Sequence, residues 1–290
     1  MAIKPIILGA ALAAGAIAAA QGADKVSPPL TLDVFNPGEA AIFPVASVLV
    51  SGERDAVLID AQFSRAEAQR LVERVRASGK RLTTVYVSHG DPDFYFGLDV
   101  VKAAFPEAKI VASPATLAAM RAKAPAKVAY WGPILKDNAP REIVYPQAME
   151  GDTLMLEGRT LQVRGPAARS YVWIESIKTV AGGVVLFNDL HVWMADTQTP
   201  ASRADWLKTL DGIEALKPVT VVPGHFKVGT PLTPASIVYT RDYVQRFEKA
   251  TEAAADSAAL IAAMEKQYPA AGLASALQTS AKVAKGEMKW

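Results

Sequence analysis

The chain has 290 residues, 51% hydrophobic and 21% charged, which is enough apolar material for a large buried core. Its formal net charge is only +2, and basic residues are interspersed with acidic ones, so no basic stripe points to nucleic acid. It contains no cysteine, which excludes disulfides, thiolate metal ligands and a lipid-modified cysteine.

Residues 1–22 read as a secretory signal peptide. Lys4 supplies a positive charge, Ile6 to Ala20 is an apolar, alanine-rich run, and Ala18-Ala19-Ala20 gives a small-x-small cleavage site before Gln21. The run is short for a bilayer span of about 20 residues. The expectation is a periplasmic or secreted protein with no membrane contact once the signal is removed. Residues 23–290 then suit one α/β domain.

Val45–Val50 and Ala56–Ile59 read as strands joined by a Ser-Gly-Glu-Arg-Asp turn, with Asp60 closing the second. Arg65–Ser78 carries Ala68, Leu71, Val72 and Val75 at helical spacing and stops at Gly79. Leu82–Val87 is a short buried strand that runs directly into His89–Gly97. Val100–Phe105 predicts a helix, Lys109–Ala112 a strand and Pro114–Ala122 another helix, an alternation expected of layered α/β folds. Further strands are predicted at Ile143–Tyr145, Thr153–Leu156, Arg159–Val163, Tyr171–Ile174, Thr179–Ala181 and Val184–Phe187. Arg203–Ala215 predicts a helix and Thr220–Val222 a strand, followed by the Pro223-Gly224-His225 loop. From about residue 236 the pattern is a helical extension, interrupted at Pro269 and Gly272.

The chemistry concentrates at strand ends, where α/β folds place reactive groups. After Leu82–Val87 come His89, Asp91 and Asp93 at alternate positions, one imidazole and two carboxylates that can converge on a cation. Val184–Phe187 leads to Asp189 and His191, which share a side if the chain stays extended. The strand before Pro223 ends on His225. The chain has three histidines, and each lies at or just beyond a predicted strand end. A lone histidine is more often structural than a ligand, but three so placed favour a metal site.

This order of elements and motifs resembles the metallo-β-lactamase superfamily, over roughly Val34 to Gly229. The resemblance implies an αββα sandwich with a metal site along one edge of its two sheets. The family motif His-x-His-x-Asp-His here reads His89-Gly90-Asp91-Pro92-Asp93-Phe94. The second histidine has become Asp91, which still offers oxygen donors, and the last has become Phe94, which offers none. A Gly-His turn that normally supplies a further ligand is replaced by Gly165-Pro166. Asp189 matches the family's bridging aspartate, His225 the last ligand, and His191 stands as a substitute ligand.

On this reading the function is metal-dependent hydrolysis of an ester, lactone, amide or phosphodiester. The metal ligands are His89, Asp91, Asp93, Asp189 and His225, and the catalytic residues are Asp93 as ligand or general base and His191 as ligand or proton shuttle. The cofactor is zinc, one or two ions with one preferred, with manganese or iron as alternatives; the partner is a small-molecule substrate. The rival is an exported binding protein that kept the fold and gave up catalysis. Phe94, Tyr95 and Phe96 read mainly as core, Trp193 and Trp206 as core or cleft, and Arg169 and Lys227 as surface residues near the site. The C-terminal helices either cover the cleft or form a homodimer contact.

Overall fold

The computed structural model describes residue 1 and residues 28–290. The expected signal peptide, apart from residue 1, lies outside the described residues. Among the described residues no helix is long and apolar enough to cross a membrane.

The first half of the chain runs β1 (Thr31–Phe35), β2 (Ser47–Ser51), β3 (Asp55–Ile59), α1 (Arg65–Ala77), β4 (Arg81–Val87), α2 (Pro92–Tyr95), α3 (Leu98–Ala104), β5 (Lys109–Ala112), α4 (Pro114–Leu135) and β6 (Gln147–Ala148). Its six strands lie in chain order in one sheet, antiparallel from β1 to β3 and parallel from β3 to β6. The second half runs β7 (Thr153–Leu156), β8 (Arg159–Arg164), β9 (Tyr171–Ile174), β10 (Thr179–Ala181), β11 (Phe187–Asn188), α5 (Pro200–Ala215), β12 (Thr220–Val221), β13 (His225–Phe226), α6 (Ala235–Ala253), α7 (Ser257–Gln267) and α8 (Ala274–Ala284). The second sheet has the order β12-β10-β9-β8-β7, and β11 pairs separately with β13.

Alternation along the strands sets the layers. Successive side chains of a strand point to opposite faces. In β3, Val57 and Ile59 face inward and pack with Leu161, Val172 and Ala181 of the second sheet, forming the core between the sheets. Ala56 and Leu58 face the other way, onto Leu71 and Val75 of α1 and Met120 of α4. On the far side, Tyr171, Trp173 and Val180 of the second sheet meet Trp206 of α5 and Tyr243 and Phe247 of α6. Helices therefore cover both outer faces of a two-sheet sandwich, as the resemblance implies.

Three elements differ from expectation. Residues 143–145 are not a strand; β6 begins only after Pro146, which has no N–H to donate to a ladder. The strand expected at Val184–Phe187 shrinks to Phe187–Asn188, because the chain first bends through Gly182-Gly183. The helix expected at Pro114–Ala122 continues to Leu135 through Pro125 and Pro133, held to the first sheet by Met120, Ala124 and Leu135. That extra length carries Lys127 and Trp131 to the site described next.

Candidate active site

The segment between β4 and α2 is anchored from below by Asp60. This carboxylate follows β3 in a left-handed conformation (φ 65°) and accepts hydrogen bonds from Ser88 N (2.7 Å) and Ser88 Oγ (2.6 Å). Ser88 Oγ in turn accepts from Gly183 N at 2.7 Å, so one serine ties the ends of β3 and β4 to the turn after β10. Burial pushes the Asp60 carboxyl up to about 7, against the Ser88 hydrogen bonds that pull it down.

Beyond Ser88 the chain presents two imidazole–carboxylate pairs. His89 Nδ1 lies 3.4 Å from Asp91 Oδ2 and 3.3 Å from Asp91 N. Burial alone would raise the Asp91 carboxyl, but the hydrogen bond and charge of His89, with Lys127 and Lys123 beyond, hold it well below the usual carboxylate range. Asp91 also stands at the N-cap position of α2, with no capping bond from its side chain, and the first residue is Pro92, a proline where the missing N–H costs nothing. Backbone bonds from Ala61 N to Phe94 O and from Gly97 N to Gln62 O fix this short helix to the Asp60 segment. It presents Asp93, whose Oδ2 is 3.3 Å from His225 Nε2.

His225 is brought there by two glycines. A Cβ on Gly224 would sit 1.9 Å from the Gly183 carbonyl oxygen, so the Pro223-Gly224-His225 loop can lie this close to the turn after β10 only without side chains. The His225 ring stacks on Phe187 at 5.1 Å, and its Nδ1 is buried with no hydrogen-bond partner. Between the two pairs stands Phe94, 1% exposed, with ring centroids 5.3 Å from His89 and 5.7 Å from His225.

Above these residues lies a cavity of about 50 Å³, room for a few waters. Asp91, Asp93, Phe94 and His225 form its floor. Its walls are aromatic, from Phe43, Trp131, Trp193 and Trp290, with the ammonium-bearing Lys127 between this cavity and a larger outer cleft of about 760 Å³ that the same five residues also line. Trp193 and Trp290 meet edge to face at 5.0 Å, and both indole N–H groups donate to Asp196 at 2.8 Å.

Residues 41–225, well over half of the chain, match the family model described as the metallo-beta-lactamase superfamily. The chain belongs to the metallo-β-lactamase superfamily. Its fold is similar to that of a metallo-beta-lactamase from Pontibacter korlensis (TM-score 0.53, 17% identity, 76% of this chain and 97% of that one). It is also similar to TMB-1 (TM-score 0.51, 17% identity, 76% and 99%) and to the DIM-1 metallo-beta-lactamase (TM-score 0.51, 15% identity, 76% and 98%). A search of curated proteins by sequence found no match. At these identities the solved structures show the fold alone. Superfamily membership supports a metal-dependent hydrolase-type function in general terms, and zinc is the metal the superfamily commonly binds.

The structure gathers only part of the superfamily's expected ligand set. Asp91, Asp93 and His225 line one cavity, and His89 pairs with Asp91 without lining it. Asp189 does not: its backbone is left-handed (φ 55°), which turns the side chain out to solvent, where Oδ2 accepts from Thr230 Oγ1 at 2.6 Å. The residue that follows β10 into the cavity is Val184. His191 does not reach the cavity either. It is 3% exposed, with Nδ1 3.0 Å from Tyr243 Oη and its backbone N–H bonded to Gly272 O, and burial lowers its pKa. Both assignments are corrected: Asp189 is a surface residue, and His191 joins the β11 end to the C-terminal helices.

Among the other residues, Trp193 lines the cavity, whereas Trp206 is core and donates to Val185 O. The Arg169 guanidinium lies over the Trp206 ring at 4.0 Å and donates to Thr197; burial lowers it to about 10. Lys227 pairs with Glu39 at 3.4 Å. Sequence reasoning missed Lys127, Trp131, Leu273 and Trp290 as lining residues, because they come from distant helices and the chain's last residues. Leu273 and Trp290, on either side of α8, line the cavity, and Ser275 and Thr279 of α8 line the outer cleft.

This donor set does not fit the superfamily's metal centre. Among the described residues no three histidine, aspartate or glutamate side chains gather as one ion would require. Asp93 and His225 make two donors, where a catalytic zinc site takes three from the protein. A ligating imidazole normally donates its second N–H to a neighbour, and His225 Nδ1 has none.

Proposed function

We propose that this chain is an exported binding protein that keeps the superfamily fold and takes a small molecule into the pocket above Phe94. The observation that carries this reading is the Phe94 ring, set between His89 and His225 where the superfamily motif has an imidazole. A phenyl ring has no lone pair for a cation, and Val184 adds a second apolar side chain to the same cavity. What remains is a mostly aromatic lining over a few convergent polar groups, the usual make-up of a small-molecule site. The apolar run from Ile6 to Ala20 supports export to the periplasm or beyond the cell.

The test is elemental analysis of the purified chain, with melting temperatures measured in added zinc, manganese and iron. A ligand raises melting temperature only by binding the folded state. The expected result is no retained metal and no shift. Stoichiometric metal with a clear upward shift overturns the reading.

A second reading, hydrolysis, is favoured by one observation. Asp91, Asp93 and His225 still stand at one pocket floor, and His89 pairs with Asp91 beside it. It predicts turnover of a lactone, β-lactam or phosphodiester once zinc or manganese is added, with loss of that turnover in Asp93→Asn. No turnover across these substrates leaves the binding reading alone.

A further inference from the structure

The charge and shape of the pocket narrow what it takes. Its floor carries two carboxylates, Asp91 and Asp93, the latter with its side chain 9% exposed. The walls are ring faces and edges: Phe43 lies 5.4 Å from Trp131 and 6.3 Å from Trp193, and Trp193 lies 5.0 Å from Trp290. Aromatic rings around a negatively charged floor attract a cation twice, through the ring quadrupoles and through the carboxylates. A cation is already held there: Lys127 Nζ sits 5.0 Å from the Trp290 ring centroid and acts on the charge of Asp91. Among the described residues, Lys127 is the only lysine or arginine that lines the inner cavity.

We infer that the pocket binds a small organic cation, an amine or quaternary ammonium with apolar substituents, and that the Lys127 ammonium occupies this cation's place in the unliganded protein. The inference rests on the binding reading above. The inner cavity of about 50 Å³ is too small for such a molecule, so entry requires Lys127 and Trp290 to move aside. The hold on Trp290 is slight: it is 47% exposed and kept in place by one hydrogen bond to Asp196, the Trp193 edge and Lys127 itself. Because Lys127 and Trp290 line both spaces, their displacement joins the inner cavity to the outer cleft of about 760 Å³. The ligand's apolar substituents then rest on Trp131 and Trp193 while its charge faces Asp91 and Asp93.

Isothermal titration calorimetry on the full chain tests this with three probes of one shape: benzyltrimethylammonium, benzyl alcohol and benzoate. The ammonium is expected to bind about tenfold more tightly than the alcohol, the size of a desolvated cation–π contact, with benzoate weakest. Lys127→Met removes the built-in competitor and should tighten ammonium binding severalfold, whereas Asp93→Asn should weaken it about tenfold. Melting temperatures check that both variants are folded. If benzoate binds more tightly than the ammonium, or if Lys127→Met weakens ammonium binding, the cation inference fails while the binding reading stands. If no probe binds either wild type or Lys127→Met, both fail together.

Discussion

Two stretches of this chain set a histidine beside an aspartate just past a strand, and the fold uses them in opposite ways. In residues 89–93, Asp91 and Asp93 are held at a cavity floor and His89 pairs with Asp91. In residues 189–191, Asp189 points to solvent and His191 is enclosed beneath Tyr243. Local sequence does not separate the two. What separates them is backbone direction: α2 starts at Pro92 and wraps the first stretch around the cavity, while a left-handed Asp189 turns the second away from it. A histidine at a strand end is thus a candidate whose role is decided by the turn that follows.

The comparison breaks most severely at Asp60, which anchors the first stretch through Ser88. Its folded pKa of about 7 lies above the ordinary aspartate value of 3.8, so the folded state binds the proton more tightly than the unfolded one. Its contribution is fully present below about pH 4 and is lost as pH rises through about 7, a change on the order of 4 kcal/mol. Asp60→Asn should flatten that part of the stability curve, measured by urea unfolding from pH 4 to 8. An unchanged curve would mean Asp60 is not buried beside Ser88. His191 acts with the opposite sign, since burial lowers its pKa and its contribution is lost as pH falls below the ordinary histidine range. The two single variants separate these slopes.

At the second stretch, His191→Ala should cost about 2–3 kcal/mol, because it leaves a cavity and removes the partner of the buried Tyr243 hydroxyl. Ligand binding in the pocket should be untouched, and a large loss of binding in a folded His191→Ala protein would return His191 to the site.

Phe94→His sharpens the contrast from the other side. The new imidazole joins Asp93 and His225 as a third donor, so the variant should retain about one zinc per chain by elemental analysis, where the binding reading expects none for wild type. Its metal-free form should lose about 1–2 kcal/mol of apolar packing. A folded variant that still binds no metal would show that this side chain does not face the Asp93–His225 pair. The smallest effect belongs to Asp189→Asn: an exposed side chain that keeps an oxygen for Thr230 should change stability by no more than about 0.5 kcal/mol and binding not at all.

The elements of the fold were largely legible in the sequence because burial imposes periodicity. Val57 and Ile59 alternate with Ala56 and Leu58 in β3, and Leu71, Val72 and Val75 repeat at helical spacing in α1. Reading failed where the signal was not periodic. The Val184–Phe187 run is as apolar as any strand, yet Gly183 at φ 74° bends it, since the turn passes so close to Ser170 O that a Cβ would lie 1.9 Å away. The helix expected to end at Ala122 runs on through Pro125, because packing of Ala124 and Leu135 carries α4 past it.

By itself the sequence determined the layered α/β architecture, the superfamily, and the replacement of donor side chains by Phe94 and Pro166, because residue type and periodicity are properties of the chain. Only the tertiary structure decided that Val184, not Asp189, follows β10 into the cavity, and that His191 belongs to the core. It alone assembled Lys127, Trp131 and Trp290 around one space. The reason is physical. A pocket is made of residues that are far apart in sequence, so its composition depends on long-range packing and on single φ values that no local pattern records.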